Sequence, residues 1–197
     1  RSVTAKGEVE TGLGGSETQE KLPLTIYLRN THLTQVDAGI TNFAKSLGNI
    51  HSIDDVQRMS EEIVKRVPYT KGSTNVFTTA SQALETGHGV CQDHAHIFIA
   101  CARLLNAPAR YVSGYFLRND TRSQIAGHAW AEVFIEDLGW IGFDPAHGVC
   151  PDERYVRLAV APDYIGAAPI RGARMGGGVE KMDVQISVVD AMAQSVQ

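Results

Sequence analysis

The chain has 197 residues, the length of one ordinary domain or of one domain with a short appendage. Hydrophobic residues make up 43% and charged residues 20%, a composition that supports a sizeable core and excludes wholesale disorder. Eighteen Lys and Arg against twenty-two Asp and Glu leave a net charge of −4. With no basic stripe to neutralise a phosphate backbone, nucleic acid is not an expected partner.

Cys91, Cys101 and Cys150 are odd in number and widely spaced, with no C-x-x-C pair, which argues against a disulfide framework and a zinc ribbon. The longest strongly apolar run, residues 97–102, is far shorter than the roughly 20 residues that span a bilayer. The start RSVTAKGEVE lacks a signal peptide's apolar region, so the expectation is a cytoplasmic protein without membrane association.

Residues 1–20 are rich in Gly, Thr, Ser and Glu and read as a strand remnant and loop, the tail of an N-terminal β domain that precedes a core at 21–197. A short helix is expected around 37–47. In SIDDVQRMSEEIVKRV, Ser52 caps a helix with Asp55 three residues on, and Val56, Met59, Ile63 and Val67 recur at helical spacing until Pro68. A further helix is expected around 79–84, before the GHG at 87–89. VCQDHAHIFIACARLLN is apolar on most of its circumference and reads as a buried central helix. ARYVSGYFL from Ala109 reads as a strand, and GHAWAEVFIE with GWIGFD as a hairpin turning at 136–139, with His128, Trp130, Glu132 and Phe134 on one face. The fold class is therefore α+β, with a helix packed on an antiparallel sheet. Residues 161–178 read as a long loop, and Val184, Ile186 and Val188 as alternating residues of a last strand.

Cys91 falls where the central helix begins, and there the exposed N–H groups and the helix dipole favour a thiolate and could hold an oxyanion. Position alone fits a small buried apolar residue equally well. His128 and Asp144 lie in the two strands of the hairpin, and folding it brings them together. With the turn centred on Glu136 they are directly opposite; centred between Asp137 and Leu138 they are about three residues out of step, so register decides whether they touch. A carboxylate at that place would orient the imidazole.

The segments GVCQDHAHIFIACARLLNAPARYVSGY and GHAWAEVFIEDLGWIGFDPAHG, with their spacing, closely resemble the bacterial transglutaminase-like core family over about Tyr69 to Gly148. The resemblance implies a papain-like fold in which Cys91 is the nucleophile, His128 the general base and acid, and Asp144 the orienting carboxylate. It implies a cysteine-dependent enzyme acting on amide bonds of a peptide or protein, including glutamine-type acyl donors, through a thioester. Hydrolysis is favoured, transfer to an amine is the alternative, and a non-catalytic peptide- or protein-binding module on the same fold is the competing class. No cofactor is expected.

The Cys91 N–H is the expected first oxyanion donor, and Gln92 and Tyr69 are candidates for the second. Many members of the family carry an aromatic residue where this chain has His94, which is three positions from Cys91 and so close to the site or part of local packing. Trp130 and Trp140 could wall a substrate groove but fit ordinary cross-strand packing better. His88, Cys91, His94 and His96 offer zinc-ligand chemistry, yet only Cys91 and His94 share a helical face, and no metal site is expected.

Overall fold

The computed structural model describes residues 4–12, 22–117, 127–169 and 186–188. Three helices lead into the core, each with a side chain that satisfies its first orphan N–H groups. In α1 (Ala38–Leu47) the Asp37 carboxylate accepts from the Ile40 N–H at 2.8 Å. In α2 (Ile53–Arg66) Ser52 and Asp55 form a reciprocal capping box, and in α3 (Ala80–Thr86) Thr79 and Gln82 do the same. Gly87 then closes α3 in the left-handed region at φ 69°, a conformation with little cost only for glycine.

The fourth helix, α4 (Cys91–Leu104), is buried at every position from Asp93 to Arg103. Its circumference is covered by α1, α2 and α3 on one side and by the sheet on the other. Arg103 is the one cation in this buried stretch. Its guanidinium donates to the backbone oxygens of Tyr27, Ala109 and Pro162 and to Thr34 Oγ1, all within 3.1 Å, which satisfies it and ties three distant segments to the helix.

The sheet is antiparallel, in the order β3-β2-β1-β4, with β1 (Ala109–Phe116), β2 (His128–Ile135), β3 (Gly139–Phe143) and β4 (Tyr155–Ala161). Ala129, Ala131 and Val133 of β2 and Tyr111 of β1 join Ile97, Phe98 and Ile99 of α4 in the main core. On the opposite parity, Val112, Trp130 and Tyr155 make a second cluster. Further along the same parity Arg110 pairs with Glu132 at 2.6 Å, and its guanidinium lies 3.9 Å from the centre of the Trp140 ring. Gly114 permits the second cluster: a Cβ there would sit 2.1 Å from the Val156 oxygen and 2.6 Å from the Trp130 ring.

The α+β architecture expected from the sequence is the one observed. Differences fall at the ends of the chain. Residues 4–12 form no strand, and the rest of the expected remnant lies outside the described residues. The stretch read as a loop from Ala161 begins with a short helix, α5 (Tyr164–Ala167), capped by Asp163. Strand β4 has no counterpart in the sequence reading, because an edge strand with Arg157 and Leu158 exposed lacks a clean alternation. Of the expected last strand only residues 186–188 are described, with a single bridge at Ile186.

Candidate active site

Cys91 is the first residue of α4, and Val90 before it is extended. The Val90 carbonyl accepts from the N–H groups of Asp93 and His94, at 2.9 and 3.1 Å, so the N–H groups of Cys91 and Gln92 fall in the turn that has no carbonyl behind it. Gly89 lets the approach pass close to the helix, since a Cβ would come within 2.8 Å of the Asp93 Cβ. Asp93 is buried and fastens this end. Its Oδ2 accepts from the Val90 N–H at 2.8 Å and from the Thr74 hydroxyl at 2.6 Å. Burial pushes its carboxyl above the ordinary value, against the pull of those hydrogen bonds.

The β2–β3 register pairs Ala131 with Phe143 and Ile135 with Gly139, so the turn is centred on Asp137. That lies between the two centres considered from sequence. Continued by one residue, the register sets Asp144 opposite Trp130, two residues from His128 and on the same face. His128 Nε2 and Asp144 Oδ2 are 2.5 Å apart. The Asp144 carboxylate is fully buried, and its N–H bonds the Val149 oxygen in an isolated bridge that fixes the chain as it leaves β3.

Cys91 is the other neighbour that favours the protonated form of the His128 imidazole. Burial alone would lower the imidazole's pKa, but hydrogen bonds and charge from Asp144 and Cys91 outweigh it and raise the value to about 9. Burial likewise works to raise the Asp144 pKa, and the hydrogen bonds of His128 and His147 reverse this, holding the carboxyl well below the usual carboxylate range. The stable arrangement near neutrality is an imidazolium against a carboxylate.

Two residues at this carboxylate carried no role in the sequence reading. His147 Nδ1 lies 2.6 Å from Asp144 Oδ2, and the Tyr155 hydroxyl donates to the same oxygen at 2.8 Å. The Ala146 N–H holds Oδ1 at 3.0 Å. His147 carried a faint signal, three residues beyond Asp144 in a turn; Tyr155 carried none, since it arrives on the unrecognised β4.

The remaining candidates separate. The Gln92 amide donates one of its two N–H bonds to the Val76 oxygen at 3.3 Å. Tyr69 is 55% exposed and bridges Gly89 beside the approach to Cys91. His94 is buried, with Nε2 2.7 Å from the Val67 oxygen and its ring 6.2 Å from Tyr69; burial lowers its pKa, so it is a neutral packing group under the site. Trp130 is buried, 6.1 Å from the His128 ring and edge-on to Tyr155, and so backs the imidazole rather than facing a groove. Trp140 packs against Tyr27 and Phe134.

The histidines near the helix start do not converge with Cys91 on one point. His88 Nδ1 is 3.4 Å from Thr70 Oγ1, and buried His96 accepts the Tyr164 N–H, its pKa driven down to about 4 by burial. Among the described residues, His128, Asp144 and His147 form a group with ligand-type atoms within 4.8 Å. Asp144 Oδ2 lies between the two nitrogens at hydrogen-bond distance, and an ion about 2 Å from each ligand would have to break both bonds.

Residues 41–145 match the model of the transglutaminase-like superfamily, and the chain belongs to that family. It is 32% identical to, and superposes with a TM-score of 0.63 on, a solved Cytophaga hutchinsonii protein described as a candidate cysteine protease, covering 75% of this chain and 50% of that one. Uncharacterized protein ML0607 of Mycobacterium leprae is 33% identical over 130 residues, 62% of this chain and 45% of its own length. A protein-glutamine gamma-glutamyltransferase of Pseudomonas aeruginosa is 30% identical over 104 residues, 47% of this chain and 16% of its own. The chain thus spans about half the length, or less, of the curated proteins named here. No described helix is long and apolar enough to cross a membrane.

Proposed function

We propose that the protein is a cysteine-dependent hydrolase or acyl transferase of amide bonds, with Cys91 as nucleophile, His128 as acid and base and Asp144 as the group that orients and charges His128. The observation that carries this reading is the imidazole of His128 bonded to a buried carboxylate, with Cys91 at a helix N-terminus near enough to favour its protonated form. The Cys91 thiolate attacks the amide carbon, and the charge that develops on oxygen meets the Cys91 N–H. Collapse breaks the C–N bond, and His128 gives its proton to the departing amine. His128 then removes a proton from the second nucleophile as it attacks the thioester, which releases the acyl group and restores the thiolate.

Water as that nucleophile makes a peptidase or amidase, and an amine makes a transglutaminase. Likeness to the Cytophaga protein over three-quarters of the chain favours water; likeness to the Pseudomonas gamma-glutamyltransferase supports the amine reading over less of it. Tyr69 and Gln92, whose amide keeps a second N–H beyond its bond to Val76, are the candidates for a second oxyanion donor. The expected substrate is a peptide or protein, and the expected compartment is the cytoplasm.

The test is incubation with casein in ¹⁸O-labelled water, with and without a dansylated primary amine, followed by peptide mass mapping. The reading expects ¹⁸O at new carboxyl groups, or dansyl on acyl sites, and loss of both in Cys91→Ala. Absence of both products, together with iodoacetamide alkylation of Cys91 at pH 7 that is indifferent to His128→Ala, would return the chain to the binding-module class.

A further inference from the structure

His147 reaches the one oxygen on which the proposed chemistry depends. Asp144 Oδ2 accepts from three donors on three segments: His128 Nε2 on β2 at 2.5 Å, His147 Nδ1 in the turn after β3 at 2.6 Å, and the Tyr155 hydroxyl on β4 at 2.8 Å. For the ionised carboxylate to bond both rings, each must present an N–H to it. The two imidazoles are close to each other as well, with ring centroids 5.0 Å apart. Their exposures differ: the His128 side chain is nearly buried, whereas that of His147 is 42% exposed. One carboxylate therefore serves a shielded imidazole and one open to solvent.

A carboxylate oxygen divides its basicity among its donors. Each added N–H or O–H stabilises the anion and weakens its hold on the others, and a cationic neighbour also repels the imidazolium. We propose that His147 is a positioning residue that shares the Asp144 oxygen with His128 and so moderates the counter-charge under the catalytic imidazole. This rests on the assignment of His128 as acid and base. Too strong a pairing would leave His128 an imidazolium that is slow to give its proton to the departing amine in the acylation half of the cycle, and a second donor on the same oxygen limits that.

The other charged or titratable groups around this oxygen leave His147 as the exchangeable partner. Tyr155 is a phenol whose pKa burial pushes upward, so it stays a neutral donor. His94 on α4 senses both Asp144 and His147, but burial keeps it neutral. Cys91 acts on His128 and not among the donors to the Asp144 oxygen. Arg154 lies over Phe116, whose ring is 5.0 Å from that of His147, and is engaged by Asp152.

The experiment is an NMR titration of the His128 ring protons in the whole chain, for the parent, His147→Ala and His147→Gln. Removing the second imidazole should raise the His128 titration midpoint by at least about half a pH unit, roughly threefold in proton affinity. His147→Gln, which restores a neutral N–H donor, should fall between the two. A midpoint in His147→Ala that stays at the parent value, or drops toward that of a free histidine, overturns the inference; a drop is what a merely structural prop for Asp144 would give. A parent protein in which His128 titrates like a free histidine contradicts the proposed function itself, so the two failures are separate. Native amide spectra of both variants verify that they fold.

Discussion

Asp144 meets His128 from two residues out of step across the β2–β3 hairpin. An even offset keeps both side chains on one face of the sheet, whereas the three-residue offset of a slightly later turn would have put them on opposite faces. The contact thus depends on the turn being centred on Asp137, which adopts φ 67°, a left-handed conformation that Asp tolerates better than most side chains. The account predicts that Asp137→Val, unable to hold that conformation without strain, weakens the His128–Asp144 pair as well as the fold. A smaller downfield shift of the Nε2 proton shared by His128 and Asp144 would report it, and Asp137→Gly should retain the parent signal.

The paired groups make stability depend on pH in opposite directions at the two ends of the scale. His128 titrates near 9 in the folded chain against an ordinary 6.5, so folded molecules hold the extra proton between those values. Its contribution is complete below about pH 6.5 and is lost as pH rises through about 9. Asp144 is depressed, so its contribution is present above about pH 4 and is lost as pH falls. Urea unfolding should show stability declining from pH 6.5 to 9 in the parent and a flatter profile over that window in His128→Ala.

Gly114 pairs with His128 across β1 and β2 and lies beneath the Trp130 ring. A methyl group at that place must displace the Val156 carbonyl and Trp130 together, and neither is a flexible side-chain end. Gly114→Ala should cost about 3 kcal/mol, at the upper end of overpacking effects, measured by urea unfolding. It should also slow Cys91 alkylation, because Trp130 backs His128. An unchanged midpoint would mean that β4 yields without resistance.

The three thiols should sort by environment. Cys101 is buried in α4 and its thiol is pushed up to about 12, so it should remain unlabelled by iodoacetamide in the native state, while exposed Cys150 reacts. Peptide mapping rather than total thiol loss is therefore the proper readout. Labelling of Cys101 at the rate of Cys150 would show that α4 opens.

Much of this was legible in the sequence because local chemistry and the global fold agree in the middle of the chain. Ser52 with Asp55, Thr79, and the apolar circumference of residues 95–105 announce α2, α3 and α4; Val56, Met59, Ile63, Ala95, Ile97, Phe98, Ile99 and Ala102 are buried as expected, whereas Leu104 is exposed. Cys91, His128 and Asp144 were nameable one by one, but their contact was not, since the sequence reading left two hairpin centres open and each residue of offset changes the face. His147 and Tyr155 escaped notice for another reason. Their importance lies in converging on a single oxygen, which a linear spacing of 3 or 11 residues from Asp144 does not convey. Trp130 was visible as a packing residue, but only the folded chain shows its ring 6.1 Å from that of His128.

The most direct test of the central claim is the rate of iodoacetamide alkylation at Cys91 at pH 7, resolved by peptide mapping, in the parent, His128→Ala and Asp144→Ala. If His128 activates the thiol and Asp144 sustains the imidazolium, the rate falls at least about tenfold in His128→Ala and by a smaller factor in Asp144→Ala, while that of Cys150 stays constant. A Cys91 rate that neither substitution changes would contradict the activated pair on which the proposed chemistry stands.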